Sequence, residues 1–233
     1  MLDVPQLTAE EIQSRVLHRD GLMLVIDKPP GLPVHRGPKG GPNLEASFDA
    51  LRFGLPRPPV LAHRLDKDTS GCLVLGRHRK ATASLGLLFK HGKISKTYWA
   101  IVEGGPAEDE GTIDMPLGRL NAERGWWQKV DPEGQPAVTN WKVMGRGDGL
   151  TWMALEPVTG RTHQLRVHSA AQGWPIFGDN IYGSGPRFGE PRLHLHSREI
   201  GIPISKNKDP VRVVAPAPEH MRERLKACGW NGE

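Results

Sequence analysis

Residues 63–71, HRLDKDTSG, place a carboxylate among cations and hydroxyls in a run too polar for a core. Asp66 lies between Arg64 and Lys67, and neighbouring cations favour the ionised, nucleophilic form of a carboxylate. Thr69 and the serine after it can donate hydrogen bonds to the loop backbone or to that carboxylate. Taken alone, the run also fits an Asx or ST turn between strands, and composition favours this structural interpretation.

A second polar run, TGRTHQLRVH, covers residues 159–168. Thr162 is predicted to cap a helix, which leaves Arg161 just outside the helix start. Unpaired backbone amides and an arginine fork together make a strong anion site, suited to a carboxylate such as Asp66 or to a phosphate. Arg166 lies five residues further on and need not share that face.

Two further segments contain polar groups with more than one interpretation. Tyr98, in the alternating run 96–104, could be a core aromatic residue with a satisfied hydroxyl. It could equally stack on a nucleobase while its oxygen serves a proton transfer. The compact turn GDNIYG at 178–183 is expected to brace the site, and its Asp179 could be a second acid. Two such carboxylates would permit a glycoside or nucleoside hydrolase.

The histidines do not form a recognisable metal motif. His163 and His168 are five residues apart with no glutamate between them, and His194 and His196 alternate along a predicted strand. The two cysteines lie far apart in sequence and add no ligand pair. The pattern therefore disfavours metal binding.

Composition narrows the class of protein. The 233 residues suffice for one large domain or two small ones, and 31 Lys and Arg against 26 Asp and Glu give a net charge of +5. This balance suits a polyanionic partner such as nucleic acid, although scattered surface lysines would give the same number. Two cysteines, a polar start and no long apolar run predict a cytoplasmic protein with no disulfide, signal peptide or membrane span.

Hydrophobic periodicity predicts more strands than helices. Strands are expected at 22–27, 72–76, 95–102, 137–144, 151–156, 192–196 and 212–215. Helices are expected at 43–53, 80–90, 162–172 and 218–227, after a short one opened by a capping box at 8–11. No βαβ rhythm repeats, so we predict an α+β domain with a mixed, largely antiparallel central sheet and flanking helices. The Gly- and Pro-rich segment 105–136 is expected to form a small subdomain or a flap.

The run at 63–71 resembles the catalytic HRLDxxTSG motif of the RluA-type RNA pseudouridine synthases. Further segments match that family in the same order, at 28–31 (KPPG), 96–104, 160–168 (GRTHQLRVH), 178–183 and 192–196 (RLHLH). The resemblance divides the chain into a short extension (1–16), a catalytic domain (17–221) and the end of the last helix with a tail (222–233). No separate amino-terminal RNA-binding module is expected, so the catalytic domain must hold the substrate.

The resemblance implies a pseudouridine synthase fold with a basic cleft. It also implies conversion of a uridine in structured RNA, ribosomal or transfer, to pseudouridine by base flipping, without a metal or other cofactor. Asp66 would be the essential catalytic residue, Arg161 would pair with it, and Tyr98 would pack against the target base. Arg64 would hold the nucleotide out of the stack. The remaining substrate-binding candidates are His63, Thr69, Gln164 and Arg166.

Two other functions stay open at this point. The same fold could serve a non-catalytic RNA-binding or RNA-folding protein. The carboxylates of Asp66 and Asp179 could also serve a hydrolase, which would release free uracil. A monomer is expected in each case.

Overall fold

The computed structural model describes residues 4–233. Within them the α-helices are α1 (Ala9–Ser14), α2 (Arg79–Lys90), α3 (Gln164–Ala171) and α4 (Glu219–Ala227), and a 3₁₀ helix covers Glu45–Leu51. The strands are β1 (Val16–Arg19), β2 (Met23–Lys28), β3 (Val60–Leu61), β4 (Ser70–Gly76), β5 (Ser95–Glu103), β6 (Glu110–Asp114), β7 (Leu117–Arg119), β8 (Gln128–Val130), β9 (Val138–Gly147), β10 (Leu150–Pro157), β11 (Leu195–Ile202) and β12 (Val211–Val214).

The chain folds as two compact units. The first unit contains the residues up to Lys96 together with Ser197–Pro216, and the second contains Thr97–His196 and Ala217–Glu233. Each unit has its own apolar core. The domain boundaries expected from the family resemblance stay a prediction.

In the first unit the strands hydrogen-bond in the order β1-β2-β4-β11, with β3 on β4 and β12 on β11. The antiparallel register of β2 and β4 sets Lys28 opposite Gly71, so the end of β2 meets the end of the HRLDKDTSG run. Strand β4 is buried along its whole length, as expected for an inner strand. The core contains Met23, Val25, Cys72, Val74, Leu85, Ile94, Ile200, Ile202, Val213 and Ala215.

Helix α2 packs on this core and confirms the predicted helix at 80–90. It begins at Arg79 because the His78 side chain accepts a hydrogen bond from the backbone N–H of Ala81, at 3.2 Å. It ends before Gly92, whose φ of 64° is the left-handed conformation that glycine adopts at helix ends. Local sequence signals therefore fix both ends of this helix.

In the second unit the strands lie in the order β5-β10-β9-β6, and each neighbouring pair is antiparallel. Tyr98 on β5 lies opposite Leu155 on β10. One core cluster lies on the α3 side of these strands, and it contains Ala100, Val102, Ile113, Met153, Leu155, Leu165, Trp174, Ile176, Leu193 and Leu195. The other contains Trp99, Ile101, Trp152, Ala217, Met221, Leu225, Cys228 and Trp230, and it includes the buried face of α4.

The segment 105–136 is built of strands. Strand β6 joins the larger sheet through β9, whereas β7 and β8 form a two-stranded antiparallel sheet of their own. The loop between β7 and β8 carries Trp126, whose side chain is 60% exposed. Glycines and charges in this segment therefore mark the turns of a hairpin, which periodicity did not reveal.

The predicted α+β class with a large, mostly antiparallel sheet is confirmed. Besides the strands of the segment 105–136, two of the expected elements differ from expectation. The helix expected at 43–53 is a 3₁₀ helix, and the strand expected at 192–196 begins only at Leu195. The backbone N–H of His194 donates instead to the carbonyl of Phe177, outside any regular strand. In the described part of the chain, no helix has the length and apolarity that a bilayer crossing requires.

Candidate active site

Asp66 lies on a turn between β3 and β4 in the first unit, with its side chain half-buried. The backbone carbonyl of Asp66 accepts a hydrogen bond from the N–H of Thr69 at 3.1 Å, which closes the turn. The N–H of Gly31 donates to the carbonyl of Lys67 at 2.9 Å and ties this turn to the segment after β2. The backbone that carries the Asp66 carboxylate is therefore fixed from two directions.

Lys28 is the residue that holds this turn most directly, and its side chain is completely buried. Its ammonium donates to the carbonyl oxygens of Pro29, Lys67 and Thr69 at 2.9, 2.8 and 2.9 Å. Three acceptors match the three donors of an ammonium group, so the group is fully satisfied. Burial lowers the pKa of Lys28 to about 7, although the nearby carboxylates of Asp68 and Asp66 oppose that shift.

The sequence alone assigned Lys28 to a matching segment but gave it no role. A lysine at the end of an apolar strand, followed directly by Pro-Pro-Gly, was the available signal. It could not identify the acceptors, because all three are backbone carbonyls.

His63 frames the start of the same loop. Its Nε2 accepts a hydrogen bond from the N–H of Val74 at 3.0 Å, and its ring stacks on Phe89 of α2 with the ring centroids 4.2 Å apart. Burial, with a smaller contribution from the charge of Lys96, lowers the pKa of His63 to about 3. His63 is therefore a neutral ring, engaged by β4 on one nitrogen and by α2 on one face.

The other predicted residues of this loop differ in exposure. Arg64 is exposed, and within the described residues its guanidinium has no hydrogen bond or ion pair. Thr69 is only 2% exposed, and Ser70 is equally buried. Of this group, Arg64 is the side chain that the loop presents to solvent.

Gly71 closes the run and cannot be replaced without cost. Its φ is 105°, a conformation that side-chain-bearing residues rarely adopt. A Cβ atom there would lie 2.7 Å from the carbonyl carbon of Ser197 and overlap the attached oxygen. The glycine thus allows β11 to pass close to the base of the loop.

In the second unit, Arg161 lies before α3, as the sequence predicted, but Thr162 does not cap the helix. The helix begins at Gln164, and its N-cap is His163, with a φ of 53°. The prediction was wrong because the Gln164 side chain reaches back over the helix start, where its Oε1 accepts the backbone N–H of Arg161 at 3.1 Å. Thr162 is left exposed.

The Arg161 side chain is half-buried and oriented by one bond. Its Nε donates to the carbonyl of Pro136 at 2.9 Å. Among the residues that the structure describes, the two terminal nitrogens of this guanidinium have no further acceptor. They are consequently available to donate to an anion, as a bidentate fork requires.

Gln164 is buried and uses its whole amide inside the second unit. Besides the Arg161 bond, Oε1 accepts from the Thr159 hydroxyl at 2.7 Å. Nε2 donates to the carbonyl of Val138 and to the Thr139 hydroxyl, at 2.9 and 3.0 Å. The two Nε2 bonds anchor the start of α3 to β9, and the two Oε1 bonds hold the loop that precedes the helix.

Arg166 is also buried and forms a bidentate ion pair with Asp179. The two bonds, Nε to Oδ2 and Nη2 to Oδ1, measure 2.9 and 2.7 Å. Burial alone would raise the pKa of Asp179, but the Arg166 bonds and two backbone N–H donors outweigh it and lower that pKa. A fully buried carboxylate held ionised in this way cannot act as the second acid of a hydrolase, so the arrangement does not support that alternative.

Tyr182 links three parts of the second unit. Its hydroxyl lies 2.6 Å from Nδ1 of His163 and accepts the N–H of Gln128 on β8 at 2.9 Å. Trp126 packs edge-on against the His163 ring, with the centroids 5.5 Å apart. The β7–β8 hairpin is thereby attached to the turn that carries Arg161. The sequence indicated only that the segment 178–183 braces the site.

Tyr98 is half-buried on β5 and packs against the core cluster that contains Leu155. Its ring is thus partly a core aromatic residue and partly accessible. No group of three or more His, Cys, Asp or Glu side chains is gathered as for a metal ion in the part of the chain described. His168 illustrates the reason: its Nδ1 contacts the Thr139 hydroxyl and its Nε2 the carbonyl of Met115, both at 2.9 Å.

The structure therefore gathers His63, Arg64, Asp66 and Thr69 on one loop of the first unit. It gathers Arg161, Gln164 and Arg166 around the start of α3 in the second unit, with Tyr98 on β5 of that unit. The pairing of Arg161 with Asp66 and the basic cleft stay predictions.

A family model and similar sequences of known proteins match this chain, and all are described as pseudouridine synthases. The family model described as RNA pseudouridylate synthase matches residues 22–171, which include Asp66, Tyr98 and Arg161. A protein of Zymomonas mobilis named as an uncharacterized RNA pseudouridine synthase is 43% identical over 210 residues, covering 89% of this chain and 95% of the relative. The Ribosomal large subunit pseudouridine synthase C of Vibrio vulnificus is 33% identical, covering 91% of this chain and 69% of that protein.

A solved structure shows the same likeness in three dimensions. The human RNA Pseudouridylate Synthase Domain Containing 4 superposes with a TM-score of 0.78 at 28% sequence identity. The match covers 94% of this chain and 95% of the human one.

Proposed function

This chain belongs to the RNA pseudouridylate synthase family, and from that premise we propose that it uses Asp66 to convert a uridine of ribosomal or transfer RNA to pseudouridine. The observation that carries the proposal is the Asp66 turn itself. Hydrogen bonds from Lys28 and Gly31 fix the backbone that carries the Asp66 carboxylate, and this turn lies inside the region that the family model matches. Fixed placement of a reacting group is a main source of catalytic rate.

The reaction is an isomerisation, so no atom is gained or lost overall. The glycosidic carbon–nitrogen bond breaks, the base rotates, and a bond forms between the sugar and a carbon of the base. The proton on that carbon must then leave, and the nitrogen that was bonded to the sugar takes up a proton, so the atoms balance. Whether Asp66 attacks the base, attacks the sugar or deprotonates the sugar, each route needs the ionised carboxylate at the target nucleotide.

Arg161 is the proposed partner of that carboxylate. Its Nε is held by Pro136 while its terminal nitrogens can reach an anion, which suits a bidentate pair with Asp66. Such a pair keeps the carboxylate ionised when a bound nucleotide excludes water.

Tyr98 is the proposed contact to the target base. The accessible part of its ring can stack on the uracil, and its hydroxyl can accept the final proton. Arg64, exposed on the Asp66 loop, would occupy the space vacated by the flipped nucleotide or bind its phosphate.

His63, Thr69, Gln164 and Arg166 are proposed to act through position. Their side chains are buried or engaged by internal hydrogen bonds, so they hold the two loops in shape. This refines their expected role from substrate contact to support. We further propose that the protein acts in the cytoplasm as a monomer.

The test is an assay with RNA labelled with tritium at carbon 5 of uridine. Bulk ribosomal and transfer RNA from a strain lacking the gene are the probes, because they hold the unmodified target. Tritium release with pseudouridine in the RNA and no free uracil supports the proposal. Binding without release would indicate the non-catalytic RNA-binding function, and free uracil would indicate a hydrolase.

A further inference from the structure

The segment that follows the catalytic turn has an unusual charge pattern. Residues 69–102 contain six Lys and Arg residues and no Asp or Glu. One of the six, Arg77, is used internally, since its guanidinium donates to the carbonyls of Asp20, Arg52 and Phe53. The others include Lys90 and Lys93, which are exposed at the end of α2.

Lys90 and Lys93 lie on a hydrogen-bonded turn. The N–H groups of His91, Gly92 and Lys93 donate to the carbonyls of Leu87, Phe89 and Leu88, at 3.0, 3.1 and 2.9 Å. Within the described residues, neither lysine forms an ion pair. The turn therefore holds two cations without ion-pair partners on a backbone that three hydrogen bonds define.

The turn also lies next to the catalytic loop within the first unit. Phe89 precedes Lys90 directly and stacks on His63, with the ring centroids 4.2 Å apart. His63 is three residues from Asp66, a stretch that spans at most about 11 Å of extended chain. An RNA strand whose target nucleotide is at Asp66 can therefore continue over this turn.

We propose that Lys90 and Lys93 form a phosphate-binding turn, which holds the RNA strand next to the target uridine. The inference rests on the proposed function, since it assumes that RNA is bound at Asp66. Charge complementarity selects the partner: two exposed ammonium groups that form no ion pair, in a stretch of sequence without Asp or Glu, bind phosphates, and the sequence of the RNA plays no part in such contacts. Lys90 and Lys93 contribute to the affinity for RNA, whereas the chemical step depends on Asp66.

The test compares the double variant Lys90→Gln/Lys93→Gln with Lys206→Gln/Lys208→Gln. The second pair is also exposed and lies in the first unit, so the net charge changes equally. Binding of a fluorescein-labelled single-stranded oligouridylate of about 20 nucleotides is followed by anisotropy between about 50 and 200 mM NaCl, the range over which phosphate contacts lose affinity. Each lost phosphate contact on a single strand lowers the log–log salt slope by about 0.7, so the first variant should lose about 1.4.

The expected result for Lys90→Gln/Lys93→Gln is a roughly ten-fold weaker binding at about 100 mM salt, because two contacts are lost. In the tritium assay its KM should rise by a similar factor with kcat unchanged, whereas Lys206→Gln/Lys208→Gln should match the parent in both assays. Affinity and salt slope equal to those of the control pair would overturn the proposal. An equal loss of affinity for labelled polyglutamate would assign the turn to acidic polymers in general and overturn it as well. A parent protein that binds RNA through these lysines but never releases tritium would contradict the proposed function but not the phosphate-binding turn.

Discussion

The ammonium of Lys28 donates a hydrogen bond of 2.8 Å to the carbonyl oxygen of Lys67, the residue directly after Asp66. Its other two hydrogen bonds go to the carbonyls of Pro29 and Thr69, so one buried side chain ties the turn to the end of β2. Placement of the carboxylate thus depends on a residue 38 positions earlier in the chain.

Replacing that ammonium should disturb both stability and turnover. Lys28→Met removes the ammonium donor from three carbonyls, of which that of Lys67 keeps the N–H of Gly31. An unsatisfied buried group costs about 1–3 kcal/mol, partly offset here because a buried charge is also removed. We expect a lower free energy of unfolding by urea and a kcat for tritium release reduced at least ten-fold well below the melting temperature. Lys206→Met makes the same change at an exposed lysine of the first unit outside this turn and should leave both unchanged. A Lys28→Met enzyme with the parent kcat would show that the turn does not need the ammonium.

The two glycines Gly71 and Gly86 should respond to alanine in opposite directions. Gly71→Ala forces a side chain into a left-handed conformation and against Ser197, which should cost about 2–5 kcal/mol of folding free energy. Gly86 lies inside α2, where an added Cβ meets nothing within 4 Å. Gly86→Ala should stabilise the protein by about 0.5–1 kcal/mol, since alanine is the better helix former. Urea titration of both variants measures the difference, and equal effects would contradict the close approach at Gly71.

The buried pair of Arg166 and Asp179 should be intolerant of a lysine. Arg166→Lys cannot form both bonds of the fork, and breaking a buried ion pair costs about 3–5 kcal/mol. The exposed pair of Arg212 and Glu199, 3.2 Å apart, provides the control. Arg212→Lys should change stability by at most about 1 kcal/mol. Thermal unfolding of the two variants distinguishes them, and similar melting temperatures would mean that the buried pair is not bidentate in solution.

Acid should destabilise the fold through buried histidines. Burial lowers the pKa of His194 to about 3, with the nearby His220 and Arg224 adding to the effect and the bond to the Arg192 carbonyl opposing it. Between about pH 3 and 6.5 the unfolded chain therefore binds more protons at this site than the folded one, so stability falls as pH falls through that window. The slope is up to about 1.4 kcal/mol per pH unit for each such histidine.

The lowered pKa of His63 also makes the folded protein less stable as the pH falls. Burial raises the pKa of Asp27 to about 6, which has the opposite effect and offsets part of this loss of stability between about pH 6 and 4. Urea titrations from about pH 7 to 4.5, which cover most of that window, measure the net slope. In His194→Asn the free energy of unfolding should depend less steeply on pH, because the contribution of one histidine is removed. An unchanged slope would mean that His194 is protonated in the folded protein.

Local sequence signals predicted the elements that carry the site. The apolar runs at 22–27 and 72–76 predicted the strands β2 and β4, the second directly after the motif, and helical spacing followed by Gly92 predicted α2. The position of Asp66 on a loop between strands followed directly from them. These features depend on residue types close together in the chain, which periodicity can detect.

The supporting contacts could not be predicted, because their partners are distant or carry no residue-type signal. Lys28 binds backbone carbonyls up to 41 residues away, and any residue can supply a carbonyl. Thr162 is a good capping residue by type, yet Gln164 reaches back and displaces it. Asp179 is a possible acid by type, and only its bond to Arg166 assigns it to the framework.

If Asp66 performs the chemistry, the most direct measurement compares Asp66→Asn with Asp68→Asn. Both variants remove one carboxylate from the same turn without changing side-chain size, and both are half-buried positions. Tritium release from carbon-5-labelled RNA is measured at saturating RNA for each, with urea titration to establish that both fold. We predict no detectable release by Asp66→Asn and release within about three-fold of the parent by Asp68→Asn, a difference of more than about 4 kcal/mol if three orders of magnitude separate them. Turnover by folded Asp66→Asn at a rate close to that of Asp68→Asn would contradict the catalytic role of Asp66.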